Sequence, residues 1–497
     1  MSETRPVLRD PLATALLFIA AMTAWRLAVL AFAAPALSFD EAQYWAWAQT
    51  LQFGYYSKPP MVAWAIAATT ALFGEGEGAI KLGSALAHAG TALVLLALGR
   101  TLYGPRVGAW AGALWATLPA VSLSSVMITT DPFLLFFWAL ALLAVVRAAE
   151  AGPRPNRWWV LLGVAFGLGL LAKYAMVLFL VSLAIWMAWS RERRGLVRAP
   201  GLWLAGGLGL AIYAPNAVWN ALNGFVSYAH TKANANLKGS LFHPDKLVEF
   251  VVGQFAVFGP IAMAALLLAL VGALRRPADG TGKDDRDRLL AAFTLPMLVL
   301  MAVESVLSRA NANWTGPAFV GGVVLVAAFL SRRAPRLLAV IVALHVAVAA
   351  GMYFMDPLRA ALRLPDTQRF DPMKRLRAWD EVGRQVSAIL AAHPQARMMG
   401  DERKVMATLT YYVHPHPFNA VKWNPDGIID DWFDQTTRLE PGERELIYVT
   451  ETPQLRRDIR AGFDGAEQLA QITIPVHTDY ARTLTVWRLT GFKGYRR

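Results

Sequence analysis

Residues 38 to 60, SFDEAQYWAWAQTLQFGYYSKPP, place two carboxylates, Asp40 and Glu41, and one ammonium group, Lys58, among aromatic residues just after a long apolar run. A carboxylate that takes a proton beside a cation that binds phosphate oxygens suits transfer of a group from a phosphate leaving group. The two acids separate on local grounds. Ser38 followed three positions later by Glu41 is a capping-box pattern, in which Glu41 accepts the exposed N–H of Ser38. Asp40 has no such use; it sits in a first helical turn, where the dipole favours a carboxylate, and its plain alternative is a solvated first-turn acid. Lys58 precedes Pro59-Pro60 in a stiff segment, its plain alternative being a side chain that snorkels to lipid headgroups.

Three further signals carry charge. Asp131 in TTDP reads either as a second acid or as an ordinary N-cap before a first-turn proline. Lys173 in GLGLLAKYAM interrupts an apolar run, where a charge is costly unless a partner or polar cavity receives it. Arg309 in SRANANWTGP lies before Asn311 and Asn313, either of which can cap the next helix. Glu41, Tyr44, Tyr55 and Asn313 join Lys58, Lys173 and Arg309 as candidate substrate-binding residues, with Asp40 and Asp131 the candidate catalytic pair. His88 reads as a hydrogen-bonded helix-packing residue, and His414 with His416 lacks the third ligand a zinc site needs. No Walker loop, dinucleotide fingerprint or nucleophile elbow is present.

The elements that position these residues are mostly membrane spans. The chain has 497 residues, 56% hydrophobic and 17% charged, against nearly a quarter charged in soluble domains. About eleven apolar blocks reach spanning length, near 11–34, 79–103, 105–122, 131–149, 157–173, 175–190, 200–219, 248–274, 288–305, 313–331 and 335–355. The first reads as a retained span rather than a cleaved signal peptide. Arginine-rich turns, including RERRGLVR, RRPADGTGKDDRDR and SRRAPR, fall on one side, so the N-terminus is expected in the cytoplasm and the motif loop outside. The +13 formal charge is then chiefly a topology signal, and nucleic acid is not needed as a partner.

In the first outer loop, Tyr44, Trp47, Ala48 and Leu51 recur on one helical face, which predicts an interfacial helix at the membrane surface. PPMVAWAIAATTALFG predicts a second juxtamembrane helix. From about residue 356 the composition turns charged and mixed. Helical spacing at 372–393 and 401–412, with strand patterns in RMMG, ELIYVT, QITIPVH and TLTVWRL, predicts a small extracytoplasmic α/β domain over 356–497 behind a membrane domain over 1–355.

Together, SFDEAQYWAWAQTLQFGYYSKPPMVAW, TTDPFLLFFWAL, GLGLLAKYAMVLF and ANWTGPAF resemble the bacterial GT-C glycosyltransferases related to protein O-mannosyltransferases, most of all the group of lipid A aminoarabinose transferases and rhizobial lipopolysaccharide galacturonosyltransferases. The resemblance covers the helical part nearly end to end and the tail only loosely. It implies a polytopic GT-C fold in the bacterial inner membrane, a sugar donor on a polyprenyl phosphate, and an envelope glycolipid or glycan acceptor at the periplasmic face, with inversion at the anomeric carbon. By the same resemblance Asp40 corresponds to the essential first-loop aspartate and Asp131 to the second acid. Lys58 corresponds to the lysine that contacts the lipid phosphate, with Lys173 and Arg309 as cations near it. Aminoarabinose-type members often carry a glutamate before Lys-Pro-Pro that can join a metal site; Ser57 stands there in this chain. The expectation is therefore an enzyme without metal or other cofactor, its sugar open. A protein acceptor and a non-catalytic lipid-headgroup transporter stay open as well, although no mid-span charge with an obvious partner speaks for the transporter.

Overall fold

The computed structural model describes residues 10–234, 241–275 and 282–495. The centre of the expected RRPADGTGKDDRDR turn, residues 276–281, lies outside the described residues. The chain forms two compact units: 1–33, 58–65 and 81–355 make the first, and 34–57, 66–80 and 356–497 the second. Residues 34–57 and 66–80, expected with the membrane domain, thus group with the tail.

The first unit is helical. Among the described residues seven helices are long and apolar enough to cross a membrane: Pro11–Phe32, Glu77–Tyr103, Asp131–Ala151, Pro200–Leu222, Asp285–Leu307, Ala312–Arg333 and Pro335–Tyr353. The expected span at 248–274 is two helices, Pro244–Phe258 and Pro260–Arg275, bent by 107°. The bend has a local cause, since Gly259 takes φ +87° and Pro260, which cannot donate to the preceding turn, starts the next helix. The pair counts as an eighth span only if taken as one. Expected spans at 157–173 and 175–190 are the shorter apolar helices Arg157–Ala172 and Tyr174–Trp189. The block at 105–122 is broken at Leu118 before Pro119, giving Pro105–Thr117 and Pro119–Ser124.

That break explains a charge the sequence reading passed over. Arg26, in the first span and 1% exposed, donates from Nη2 to the Ala116 carbonyl and from Nε to the Tyr353 hydroxyl, while Tyr353 donates to the Ser122 carbonyl. A mid-span charge with partners therefore exists, and it seals backbone freed by the break. Small residues set the neighbouring contact: a Cβ on Gly163 would lie 2.7 Å from the Ala205 carbonyl oxygen. Helices Arg157–Ala172 and Pro200–Leu222 thus approach closely, and the first of them ends at Lys173.

The second unit holds a five-stranded sheet of order β2-β1-β3-β5-β4. The strands are β1 Arg397–Gly400, β2 Val421–Lys422, β3 Glu445–Thr450, β4 Phe463–His477 and β5 Tyr480–Phe492. β1 runs parallel to β2 and β3, and β5 antiparallel to β3 and β4. Helices Trp379–Ala392 and Arg403–Tyr412 accompany the sheet. The first of these starts later than the expected 372, because Asp371 accepts from the Met373 N–H and the Arg377 guanidinium and holds that stretch in turns.

Helix Phe39–Ala48 also belongs to this unit, and Ser38 caps it with the full capping box: Glu41 Oε2 accepts from the Ser38 N–H at 2.8 Å. It is not an interfacial helix with one wet face. Every residue from Glu41 to Ala48 is buried, Trp45 packs against Tyr411, His416 and Phe418, and Leu51 lies beyond the helix end and exposed. Its aromatic residues are core, and helix Arg403–Tyr412 supplies part of that core.

Candidate functional site

The predicted site residues divide between the two units. Lys58, Asp131, Lys173, Arg309 and Asn313 belong to the first, and Asp40, Glu41, Tyr44 and Tyr55 to the second.

In the first unit Asp131 is the first residue of its helix, whose N-cap is Thr130. Its carboxylate is therefore spared from capping. Oδ1 lies 2.5 Å from Lys173 Nζ and Oδ2 accepts from Asn313 Nδ2 at 2.9 Å. Lys173 caps the C-terminal end of helix Arg157–Ala172 in an extended conformation, where the helix dipole favours a cation. Asn313 sits in the turn Ala312–Thr315 and makes no cap. Three residues from separate stretches of sequence thus meet as one polar cluster. The Lys173 and Asp131 side chains are 24% and 16% exposed, open enough to meet a ligand and closed enough for their charges to matter. An ammonium has three donors, so Lys173 can hold Asp131 and still reach phosphate oxygens.

A cavity of about 390 Å³ includes Asp131 and Asn313 in its lining, with Trp115, Leu135, Phe319 and His88. The remaining wall is mostly apolar, which suits a lipid chain below a charged head. His88 does not follow its expected role: its ring packs near Trp115, yet neither nitrogen has a hydrogen-bond partner among the described residues. Arg309 is exposed, and no hydrogen bond or ion pair joins it to the cluster among the described residues. Lys58 is half-buried and next to buried Ser57.

In the second unit Asp40 Oδ1 accepts from Arg403 Nη2 in a short ion pair, and Arg403 Nε donates to Gln43 Oε1 at 2.6 Å. Glu41 is fully buried, with Oε2 on its capping bond to the Ser38 N–H. Tyr44 is buried against Trp47. Tyr55 stacks on Trp47 with ring centroids 4.8 Å apart and planes within 5°. Its hydroxyl donates toward the Trp47 and Thr50 carbonyls and accepts from the Gln52 N–H. Burial pushes that hydroxyl up to about 12, so it stays protonated near neutrality; Tyr55 closes the end of the helix that carries Asp40. Among the described residues no three His, Cys, Asp or Glu side chains come together to hold a metal ion.

Gln43 and Arg403 escaped the sequence reading. Gln43 is one turn after Asp40, a spacing that could have pointed to it; Arg403 is more than 350 residues away, and its DERK context gives no signal.

Residues 57–219 match the family model described as dolichyl-phosphate-mannose-protein mannosyltransferase. The chain is 31% identical to the lipid A galacturonosyltransferase RgtD of Rhizobium johnstonii, over 89% of this chain and 93% of that one. It is 32% identical to an undecaprenyl phosphate-alpha-4-amino-4-deoxy-L-arabinose arabinosyl transferase of Pseudomonas aeruginosa, over 31% of this chain and 29% of that one. Its fold matches the crystal structure of ArnT from Cupriavidus metallidurans bound to undecaprenyl phosphate with a TM-score of 0.64, at 16% identity over 95% of this chain and 97% of that one. The chain belongs to the GT-C glycosyltransferase family that includes lipid A galacturonosyltransferase RgtD.

Proposed function

We propose that this multi-pass membrane enzyme moves a hexuronic acid from a polyprenyl-phosphate carrier to lipid A at the periplasmic face of the inner membrane, with inversion at the anomeric carbon. The observation that carries this reading is the near full-length similarity to a lipid A galacturonosyltransferase, whereas the aminoarabinose relative matches less than a third of the chain. The chemistry of the candidate site supports it. An acceptor oxygen attacks the anomeric carbon, the bond from that carbon to the phosphate oxygen breaks, and the polyprenyl phosphate leaves with the electron pair. Lys58 and Lys173 stabilise the charge that grows on the departing phosphate, and Arg309 attracts the anionic headgroup. Asp131 holds Lys173 and Asn313 in place. Asp40 takes the proton of an acceptor hydroxyl; toward an already ionised phosphate acceptor it orients the nucleophile instead. The chain's own cations stabilise the leaving group, and no metal is assigned to the reaction.

In this reading the N-terminus is cytoplasmic and the C-terminal domain periplasmic. The family model's description favours a protein acceptor as the second reading. Mass spectrometry of lipid A and envelope proteins from cells lacking the protein, complemented by wild type or by Asp40→Asn, tests both. Loss of a hexuronate from lipid A, restored by wild type alone, is the expected result. An unchanged lipid A with a protein losing a sugar moves the acceptor assignment, and full rescue by Asp40→Asn removes Asp40 from the chemistry.

A further inference from the structure

Arg403 stands where its own helix does not want it. It is the first residue of Arg403–Tyr412, at the positive end of the helix dipole, where a cation is unfavourable. Its compensation comes from helix Phe39–Ala48. The guanidinium donates to Asp40 and Gln43, residues one turn apart on that helix, and lies 5.0 Å from the centre of the Phe39 ring. Gln43 is 1% exposed, so one anchor of the guanidinium is fixed in the core. The Asp40 side chain is 44% exposed and that of Arg403 31%. One oxygen of Asp40 is clamped, and Oδ2 has no hydrogen-bond partner among the described residues.

The platform beneath is stiff. The capping box fixes the start of the helix, the Leu37 N–H donates to the Tyr412 hydroxyl at 2.8 Å, Tyr412 donates to Glu77, and the Trp45 ring meets Tyr411 edge-on at 5.0 Å. Both ends of helix Arg403–Tyr412 are therefore tied to the segment that carries Asp40. A planar guanidinium with donors on two nitrogens can span Asp40 and Gln43 together; an ammonium group has no such fork.

We propose that Arg403, from the C-terminal domain, is a positioning residue for sugar transfer. It binds Asp40 Oδ1 so that Oδ2 is presented toward the acceptor, which makes transfer depend on a residue of the tail beyond 356, where no other candidate site residue lies. This inference rests on the reading of Asp40 as the acceptor-directed carboxylate.

The test uses the full-length protein in detergent with a polyprenyl-phosphate hexuronate and lipid A. It measures kcat and the donor KM for Arg403→Ala, Arg403→Lys, Asp40→Asn and the Asp40→Asn/Arg403→Ala double variant. A displaced Asp40 lowers kcat roughly 100-fold in Arg403→Ala, as loss of near-attack geometry does, with the donor KM unchanged. Arg403→Lys recovers part of the rate, since it restores the charge beside Asp40 without the fork. The double variant is no slower than Asp40→Asn alone, because a positioning residue has nothing left to position. Wild-type kcat in Arg403→Ala with an inactive Asp40→Asn overturns the inference and leaves the proposed function standing. Losses that multiply in the double variant also overturn it, and an active Asp40→Asn overturns the reading beneath it. If Arg403→Ala does not fold, Gln43→Met decides: it keeps the charge pair and frees the guanidinium plane, so kcat falls while the donor KM stays, and an unchanged kcat is the refuting result.

Discussion

Removing either partner of the Asp131–Lys173 pair should harm folding and transfer, whereas removing both should harm transfer alone. The pair is close, 2.5 Å, and its side chains are 16% and 24% exposed. A buried pair that loses one partner costs about 3–5 kcal/mol, and an exposed one about 0–1 kcal/mol. This pair lies between those limits, so Asp131→Asn and Lys173→Met should each destabilise the protein by about 2 kcal/mol. Among the described residues, Lys173→Met leaves the carboxylate Asn313, and Asp131→Asn leaves the ammonium the carbonyl end of its helix. The double variant leaves no uncompensated charge and should return to within about 1 kcal/mol of wild type, a non-additivity of about 3 kcal/mol. For a unit of this size each kcal/mol moves the midpoint by about 1–2 °C. Thermal unfolding in detergent, followed by tryptophan fluorescence, should therefore show two variants lowered by about 2–4 °C and the double close to wild type. Transfer should fall roughly 100-fold or more in all three, as loss of a fixed charge at a developing phosphate does. A stable, inactive double variant separates holding the fold from holding the phosphate. Additive destabilisation would refute the pairing, and a fully active double variant would refute its part in transfer.

Tyr55→Phe should cost about 1 kcal/mol in stability, the worth of one buried hydrogen bond, and leave kcat near wild type, because the hydroxyl is spent on the Trp47 and Thr50 carbonyls; a large loss of kcat would restore Tyr55 to the substrate site. Burial alone would raise the Asp371 carboxyl, but bonds from Arg377, His477 and the Met373 N–H hold it below the usual range. Its contribution is therefore complete above the unfolded value of about 4 and lost as pH falls through the folded one. Asp371→Asn should lower stability by about 2–3 kcal/mol at neutral pH, less than a wholly buried break because Arg377 keeps Asp356, and the gap from wild type should close in acid unfolding curves below about pH 4. Chelation with EDTA should leave transfer unchanged, since Ser57 stands where a metal-binding glutamate would precede Lys58; loss restored by zinc would show that a metal takes part.

Local rules made much of this protein legible. The Ser38–Glu41 capping box, the start of helix Met61–Phe73 after Pro59-Pro60, and the strand patterns of β1, β3, β4 and β5 need only neighbours in sequence. The cost of an isolated lysine correctly demanded a partner for Lys173, and Asp131 is that partner. What failed depends on distant packing. The aromatic face of helix Phe39–Ala48 reads the same whether lipid headgroups or the rings of Tyr411 and Phe418 cover it, and only the fold decides between them. Arg26 drew no notice in its apolar run because its acceptors, Ala116 and Tyr353, are remote in sequence. Hydropathy also counts apolar residues without seeing that Gly259-Pro260 turns the chain by 107°. Arg403 had no local signal, since only the docking of its helix on Phe39–Ala48 gives it a use.

The central claim is tested most directly by incubating the purified protein with a polyprenyl-phosphate hexuronate and lipid A, and following both products by mass spectrometry. The account predicts lipid A heavier by one hexuronic acid residue, an equal amount of polyprenyl phosphate released, and both products formed roughly 100-fold or more slowly with Asp40→Asn. Failure of wild type to form the product, or equal product from Asp40→Asn, would contradict it.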